Sequence, residues 1–438
     1  GVEHFNFELG GRYSDWSMPG VDKVGSYKAL IDWGVTPKYR LRGGFNRALR
    51  APNLGELFIA RTQIFGGVAA QFQDQCSQNN PSAPYSPFAG HDPAQVAQTL
   101  SICRTLMGPL GAAQYYDNRP LSQQPTGTGP FGGGNGIQNS FGNPDLHEEQ
   151  ADTFTLGVVM DFLQNWTLSV DYYQIEIKDM IAVESPDTTY EGCLSIAKNP
   201  TGDPNAPACQ RIFRNPTDGT PANIDLTYTN LGRAKVEGVD LQLNWTKSLG
   251  DGSLNLNSVM NYNISSETQD NPTATTREWA GTQGCGLQIQ CQGYDYRIFT
   301  TVSYFRGPWG VSLRHQYWPS IDPSACAEPV VATPTNPDPC GRALATGGGV
   351  QESYQLFALS GSYRFGDKYT LRVGIENLLD KLPPVTGANP FVSGDGTGNS
   401  STPYPVAGTH SGNGLGAGAG ATYDPLGRRG FVSLTMDF

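Results

Sequence analysis

The last residues of the chain alternate between apolar and polar side chains. In the segment GFVSLTMDF the apolar side chains are those of Val432, Leu434, Met436 and Phe438. Because successive side chains of an extended strand point to opposite faces, this pattern predicts a strand with one apolar face. A strand at a chain end leaves backbone N–H and C=O groups unpaired unless another strand covers it, so we expect a partner strand elsewhere.

The same alternation recurs along the chain and predicts about a dozen strands. The first three are FNFELGGRY (5–13), KALIDWGV (28–35) and YRLRGGF (39–45). Further segments with this pattern are FTLGVVMDF, WTLSVDYY, VDLQLNW, LNLNSVMNY, YRIFTTVSYF, VSLRHQY, YQLFALSGSYRF and YTLRVGI. Most of them approach the roughly 9–11 residues that a tilted strand needs to cross a bilayer.

The connections between these segments alternate between short and long. The short ones are 36–38, 163–165, 248–253, 306–310 and 365–368, and the long ones are 49–150, 184–222, 265–293, 319–350 and 380–427. Alternating short turns and long loops are typical of outer-membrane β-barrels, in which the long loops are extracellular. A soluble all-β sandwich is the alternative that shares the strand pattern but not this regularity.

Composition agrees with strands rather than with membrane-spanning helices. Hydrophobic residues make up 38% of the chain, mean hydropathy is -0.38, and no uninterrupted apolar run reaches the length of about 18 residues that indicates a transmembrane helix. The net charge of -11 argues against a nucleic-acid partner, which would require basic patches. The chain begins at Gly1 without an initiator Met or a signal peptide, so we expect a longer or processed precursor.

Eight cysteines lie in the long connections and predict disulfides. In chain order they form the neighbouring pairs Cys76 and Cys103, Cys193 and Cys209, Cys285 and Cys291, and Cys326 and Cys340. Loop closure favours neighbours, although eight cysteines allow about a hundred pairings. A metal site is not expected, because no CxxC motif occurs and no histidine adjoins a cysteine. Disulfides indicate an oxidising compartment such as the periplasm or cell surface.

Six segments resemble, in their order along the chain, the TonB-dependent receptors of Gram-negative outer membranes. They are GFNRALRAPNLGELF (44–58), GNPDLHEEQADTFTLGVVMDF (142–162), VDYYQIEIKDMI (170–181), GVDLQLNW (238–245), LRVGIENLLDK (371–381) and the aromatic C-terminus. The resemblance implies an all-β fold, a transmembrane antiparallel barrel of about 22 strands with long disulfide-stapled extracellular loops. Residues 1–438 would supply about twelve strands, with the N-terminal plug and first strands absent from this chain.

The resemblance also implies a function and partners. We expect import of a scarce nutrient across the bacterial outer membrane, with this chain forming barrel wall and ligand-capturing loops. The nutrient would be an oligosaccharide or a ferric siderophore, and the loop cysteines together with RAPNLGELF favour the oligosaccharide. The alternative is a passive porin or an adhesin.

The implied partners are the plug and remaining strands, in the same or a separate chain, the TonB complex acting through the plug, outer-membrane lipid and a small-molecule ligand. The barrel-assembly machinery would read Phe438 as its signal. No cofactor is implied.

Candidate functional residues fall into two groups. By alternation, seven arginines would face the barrel lumen, namely Arg12, Arg40, Arg42, Arg297, Arg314, Arg364 and Arg372. They either line a substrate path or hydrate the wall and dock the plug. Aromatic residues in or bordering the loops suit a sugar or an aromatic iron chelate, namely Phe72, Tyr85, Tyr115, Tyr116, Phe131, Trp279, Trp318 and Tyr404. Alternatively, these rings pack the loops or lie at the membrane interface.

Two further expectations concern a helix and catalysis. In PAQVAQTLSICRTLM apolar side chains recur at helical spacing, which predicts a small helix held by a Cys76–Cys103 bridge. An enzyme is not expected, because none of the five histidines lies in a motif that indicates a Ser/His/Asp arrangement.

Overall fold

Long antiparallel strands are the main elements of the chain in a computed structural model. The structure describes residues 3–18, 20–64, 74–81, 83–124, 137–184, 186–269, 276–283, 293–323, 326–330, 338, 340–341, 344, 350–366, 368–382 and 426–436. The strands are β1 (His4–Met18), β2 (Val21–Thr36), β3 (Tyr39–Arg50), β4 (Thr62–Ile64), β5 (Ile137–Phe141), β6 (Glu149–Leu163), β7 (Trp166–Val183), β8 (Ile212–Arg214), β9 (Pro221–Leu249), β10 (Gly252–Gln269), β11 (Arg277–Glu278), β12 (Tyr296–Arg306), β13 (Trp309–Trp318), β14 (Tyr354–Phe365), β15 (Tyr369–Glu376) and β16 (Arg429–Met436). The helices are α1 (Leu54–Phe58), α2 (Pro93–Ala112) and α3 (Pro186–Leu194).

Twelve of these strands form one antiparallel sheet in which chain neighbours pair. The order is β1-β2-β3-β6-β7-β9-β10-β12-β13-β14-β15-β16. The prediction of about twelve barrel strands is therefore confirmed. Within the described residues, β1 and β16 are the two edges of this sheet. The predicted terminal strand pairs with β15, and Phe438 lies outside the described residues.

The strand register brings the apolar positions onto one face. A row of directly opposed side chains crosses seven strands in the order Trp33, Leu41, Val158, Val170, Leu241, Met260 and Ile298. We call this side of the sheet the apolar face and the other side the polar face. A one-residue slip would exchange the two faces, so the alternation in the sequence fixes the pairing.

Aromatic rings border the aliphatic part of the apolar face at both ends. Towards the short turns, Trp166 stacks on Trp245 with ring centroids 5.2 Å apart. Towards the long connections, the centroids of Tyr27 and Phe45 are 5.9 Å apart, and those of Phe154 and Tyr172 are 6.3 Å apart. Two aromatic girdles around an aliphatic band are typical of strands that cross a bilayer.

The described helices include none with the length and apolar character needed to span a membrane.

The predicted short turns are present, and several need a left-handed backbone. Gly250, Gly307 and Gly366 have φ between 55° and 58°, and Asn165 has φ of 66°. Glycine adopts this conformation without steric cost. One connection departs from the predicted alternation, because only residues 19–20 separate β1 from β2 at the end where the other connections are long.

That short connection packs against the segment preceding β6. Gly20 has φ of 74°, and a Cβ on it would lie 2.1 Å from the carbonyl oxygen of Leu146. Leu146 is itself buried. The β1–β2 connection therefore supports the base of the long connection between β3 and β6.

Two long connections fold together. We call the described residues of 51–148 and 184–227 the loop domain. Its strands form a small sheet in the order β4-β5-β9-β8, in which β5 runs parallel to the beginning of β9. Its core packs α2 and α3 against this sheet, with Ile102, Met107, Tyr115, Leu194, Ile224 and Leu226 buried.

Helix α2 confirms the predicted helix. Asp92 caps its N-terminus by accepting a hydrogen bond from the Ala94 amide at 3.2 Å, and proline follows at the first helical position. The helix is kinked at Gly108, which has φ of 70° and precedes Pro109. The residues that produce the kink and the cap are therefore recognisable in the local sequence.

Candidate functional site

A belt of polar side chains crosses the polar face of the sheet. Directly opposed positions follow one another in the order Asn6, Asp32, Arg42, Gly157, Asp171, Asp240, Asn261 and Arg297. Part of this belt lines a cavity of about 670 Å³, with Arg40 and Tyr173 also in its lining. The polar face therefore carries a concentrated set of charges at one level of the wall.

An ion pair in this belt spans a third strand. Arg42 on β3 donates to Asp171 on β7 through Nε at 2.6 Å and Nη2 at 2.5 Å, although β6 lies between them. Position 157 on β6 is glycine, and a Cβ there would lie 1.9 Å from Oδ1 of Asp171. The missing side chain therefore allows the pair to form.

Other charges of the polar face also have partners. Arg40 pairs with Asp32, Arg314 pairs with Glu376, and Lys28 lies 2.5 Å from Glu8. Such pairs are solvent-accessible on this face, so each contributes little to stability by itself. Their effect is to fix side-chain positions along the wall.

The register places all seven predicted arginines on the polar face. Arg12 lies opposite Ser26, Arg297 opposite Asn261, Arg364 opposite Thr370, and Arg372 between Ser362 and Ser433. Arg12 donates to Ser14 at 3.1 Å. A role in substrate passage or plug docking stays a prediction for each of them.

Disulfides hold the loop domain and a second loop. Cys76–Cys103 and Cys193–Cys209 lie in the buried core of the loop domain, with Cα–Cα distances of 5.8 Å and 4.7 Å. Cys326–Cys340 closes part of the connection between β13 and β14. Three of the four predicted pairings are thus present, and Cys285 and Cys291 lie outside the described residues.

A buried ion pair links the two halves of the loop domain. Arg214 donates to Asp74 at 2.6 Å and 3.0 Å, and both side chains have no exposed surface. The Tyr115 hydroxyl donates to Asp74 at 2.5 Å, the Cys76 amide donates to it at 2.9 Å, and Arg214 also donates to the Gly219 carbonyl at 2.6 Å. The hydrogen bonds supply the polar contacts that buried charges require.

This environment changes the acidity of its members. Burial would raise the pKa of Asp74, but the charge of Arg214 and the hydrogen bonds outweigh it and hold the pKa below its ordinary value. Burial, reinforced by the Asp74 charge, raises the pKa of the Tyr115 hydroxyl. The site is therefore an ionised pair with a neutral phenol at neutral pH.

Most described aromatic residues of the predicted ligand set lie inside the loops. Tyr115 has no exposed surface, Tyr116 is 9% exposed, and Tyr85 packs against the same core. Trp279 is 7% exposed and donates from Nε1 to Thr268 at 2.8 Å, and the Trp318 ring packs on Tyr354 with centroids 5.6 Å apart. The alternative that these rings pack the loops describes Tyr115, Tyr116 and Trp279.

Three members of that set lie in other parts of the sequence. Phe72, Phe131 and Tyr404 lie outside the described residues. Ligand contact stays a prediction for them and for Tyr85 and Trp318. Within the part of the chain that the structure describes, no cluster of three or more His, Cys, Asp and Glu residues could hold a metal ion.

Comparisons with known proteins agree with this architecture. The family model described as TonB dependent receptor-like, beta-barrel matches residues 1–378. Among solved structures, the ferric enterobactin receptor PfeA in complex with BCV-L6 is 17% identical, with a TM-score of 0.51 over 100% of this chain and 43% of that one. A doubly substituted PfeA from Pseudomonas aeruginosa is 15% identical, with a TM-score of 0.52 over 99% and 43%.

A third solved structure gives the same result. The siderophore receptor PirA from Acinetobacter baumannii is 14% identical, with a TM-score of 0.51 over 99% of this chain and 43% of that one. No curated protein matches this chain. At these identities the likeness shows the fold, and this chain spans less than half the length of the three solved proteins.

Proposed function

This chain belongs to the TonB-dependent receptor family, and from that membership we propose that it forms the carboxyl-terminal part of a barrel that imports a scarce nutrient across the bacterial outer membrane. The plug and about ten further strands would come from the rest of the receptor, in the same or a separate polypeptide. Energy delivered by TonB to the plug would open a path along the polar face. The barrel-assembly machinery would read Phe438.

The observation that carries this proposal is the two-faced wall beneath a folded loop domain. An apolar face between two aromatic girdles suits contact with lipid. A closed barrel also suits lipid, because all of its backbone N–H and C=O groups are paired within the sheet. The charged belt on the polar face suits an aqueous lumen. The loop domain lies at the end of the long connections, where a ligand from outside would arrive.

The substrate classes proposed are an oligosaccharide and a ferric siderophore. The solved neighbours are named as siderophore receptors, which supports the second class only at the level of a shared fold. The RAPNLGELF segment and the loop cysteines favour the first class. Neither class requires a cofactor or a catalytic residue in this chain.

Uptake by cells tests the import proposal. We expect cells carrying the complete receptor to accumulate a labelled ligand, and to lose that accumulation when TonB is deleted or the proton gradient is collapsed. A passive porin would instead transport without TonB and conduct ions steadily in planar bilayers. An adhesin would bind its ligand without accumulating it.

A ligand screen decides the substrate class. Binding of a panel of ferric siderophores and plant-type oligosaccharides to receptor-bearing cells would be compared with binding to cells that lack the receptor. Retention of a siderophore with no oligosaccharide retained would overturn the preference for oligosaccharide. The reverse result would support it.

A further inference from the structure

The small sheet of the loop domain has one buried face and one open face. On the buried face, Ile212, Ile224 and Leu226 pack into the core of the loop domain. Because successive side chains of a strand point to opposite sides, the residues between them belong to the other face. That face carries Gln63, Asn139, Phe213, Asn223 and Asp225. We call these five residues, with Arg61 beside them, the open face.

The strand register arranges the open face as two neighbouring rows. Gln63 on β4 lies opposite Asn139 on β5, and Asn139 lies opposite Asp225 on β9. Two residues earlier on β9, Asn223 lies opposite Phe213 on β8. Strands are about 4.8 Å apart and two residues advance a strand by about 7 Å, so the patch measures roughly 14 Å by 7 Å. This area suits a short chain of sugar rings better than a single small ion.

A carboxylate at the centre of the open face is held through one of its oxygens. Arg61, Asn139 and Asn223 all donate to Oδ1 of Asp225, the two amides at 3.0 Å and 3.1 Å. Among the residues that the structure describes, none donates to Oδ2 of Asp225 or to the side-chain oxygens of the two asparagines. The open face therefore presents three oriented acceptors beside the remaining amide N–H donors.

An aromatic ring lies beside these polar groups. Phe213 is 41% exposed, although it is flanked in the chain by the buried residues Ile212 and Arg214. The guanidinium carbon of Arg61 lies 5.9 Å from the centre of the Phe213 ring. The face of an aromatic ring is its negative side, so it attracts the weakly positive C–H groups on the apolar side of a sugar ring.

The charges of the open face favour a neutral ligand. Its one cation, Arg61, is paired with its one anion, Asp225, and the other four side chains are uncharged. An anionic iron chelate would need unpaired cations, and the accessible oxygen of Asp225 would repel it. Sugar hydroxyl groups instead donate to carboxylate and amide oxygens and accept from amide N–H groups. Among the two proposed substrate classes, the open face therefore fits the oligosaccharide.

We propose that the open face binds a neutral oligosaccharide. Asp225, Asn139 and Asn223 accept hydrogen bonds from sugar hydroxyl groups, the amide of Gln63 donates to them, and Phe213 packs against the C–H side of one ring. Arg61 acts as a positioning residue that orients Asp225. The proposal rests on the proposed function, in which the loop domain meets ligands from outside, and it adds the site that selects the substrate class.

Binding to the purified complete receptor tests the proposal. The receptor would be titrated in detergent with neutral oligosaccharides prepared from xylan, mannan and galactan, and calorimetry would measure Kd. We expect F213L and D225N each to weaken the tightest binding by about tenfold, through loss of the ring contact and of a charge-assisted hydrogen bond. F213Y keeps the ring and should bind as the unaltered receptor does. Failure of the unaltered receptor to bind any of these sugars would overturn the proposal.

A matched control removes a surface ion pair elsewhere in the same domain. D117N breaks the exposed pair of Asp117 and Arg104 and should leave sugar binding unchanged. Equal weakening by D117N and D225N would overturn the proposal. Arg61 is 53% exposed, so water can solvate its charge in D225N and the fold should persist. Limited proteolysis would check this, and F213L supplies a variant with no change of charge.

A ferric catecholate, which is anionic, provides the opposite ligand. Binding of this chelate that F213L and D225N weaken would overturn the proposal, because the open face would then serve the other class. Uptake by cells is a separate measurement. Sugar bound at the open face without TonB-dependent accumulation would overturn the import proposal alone. TonB-dependent accumulation of an oligosaccharide that F213L and D225N leave unchanged would overturn the open face alone.

Discussion

At the scale of single residues, Gly157 decides whether charges on two strands can meet across a third. The Arg42–Asp171 pair occupies the space above β6 that any other side chain would fill. We expect Gly157→Ala to displace this pair and to destabilise the barrel by about 1–3 kcal/mol, the usual effect of overpacking. Unfolding of the complete receptor in denaturant would measure the change.

Gly11→Ala is the control for this substitution. Gly11 also lies within a wall strand, but a Cβ added there meets no other atom within 4 Å. We expect its unfolding free energy to stay close to that of the unaltered receptor. If Gly157→Ala lowered the unfolding free energy no more than Gly11→Ala does, Asp171 would be shown to move aside freely.

A second prediction at this scale concerns the buried ion pair of Asp74 and Arg214. Asp74→Asn leaves the Arg214 charge buried without a counter-charge, so we expect the loop domain to lose about 3–5 kcal/mol of stability. Asp117→Asn is the control, since Asp117 is 57% exposed and pairs with Arg104 at the surface. Limited proteolysis of the loops would measure both effects.

The same pair sets a pH dependence. The pKa of Asp74 is lower in the folded loop domain than in the unfolded chain, so its stabilising effect is complete above the unfolded pKa of about 3.9 and is lost as the pH falls through the folded value. We expect resistance to pepsin to be unchanged between about pH 5 and 4 and to decline in more acidic solution. Loss of resistance already at about pH 5 would contradict this assignment.

Local pattern predicts which face a residue occupies, but not what it meets there. Alternation correctly placed Arg42 on the polar face, because the side-chain period of a strand is a local property. Alternation also predicts the polar face for Asp171, but it does not show that Asp171, 129 residues away, is the partner of Arg42. The burial of Tyr115 was likewise not visible in the local sequence, because its partners Asp74 and Arg214 come from distant segments.

At the scale of elements, the loop domain is one cooperative unit made from two connections. Cys76–Cys103 and Cys193–Cys209 belong to different connections, yet both lie in a single core. We expect C76S/C103S, which opens a bridge over 27 residues, to cost about 3 kcal/mol and to increase hydrogen exchange in α3 as well as in α2. Peptide-level exchange measured by mass spectrometry would show this.

The variant C326S/C340S serves as the control for that experiment. Its bridge spans 14 residues in the connection between β13 and β14, outside the loop domain. We expect exchange in α2 and α3 to be unaffected by its removal. If C76S/C103S altered α2 while leaving α3 protected, the two connections would be independent.

Elements were predictable where their pattern was local and regular. The long wall strands, the short turns and α2 all followed from alternation, glycine positions and helical spacing. The small sheet did not, because β5 pairs in parallel with residues more than eighty positions later. The first part of β9 could have been predicted as a strand, since Ile224 and Leu226 alternate with Asp225 and Thr227.

At the scale of the whole molecule, the two faces of the wall require opposite chemistry. Leu241 lies on the apolar face between Val170 and Met260, and Gln242 follows it on the polar face. We expect Leu241→Arg to reduce folding stability in lipid vesicles by about 2–4 kcal/mol, and Gln242→Arg to have little effect. Equal effects in a vesicle refolding assay would contradict the assignment of the faces.

Strand β9 has a mechanical consequence. It runs for 29 residues, about 100 Å, from the small sheet of the loop domain to the turn at the opposite end of the wall. Strands β5 and β8 flank its first residues, β7 pairs with it from Tyr228 to Trp245, and β10 pairs with it from Arg233 to Leu249. A force that pulls on the loop domain would therefore be carried along a single strand that belongs both to the small sheet and to the wall. Tension applied to the loop domain would reach the turn at the far end of the wall through the backbone of β9 itself.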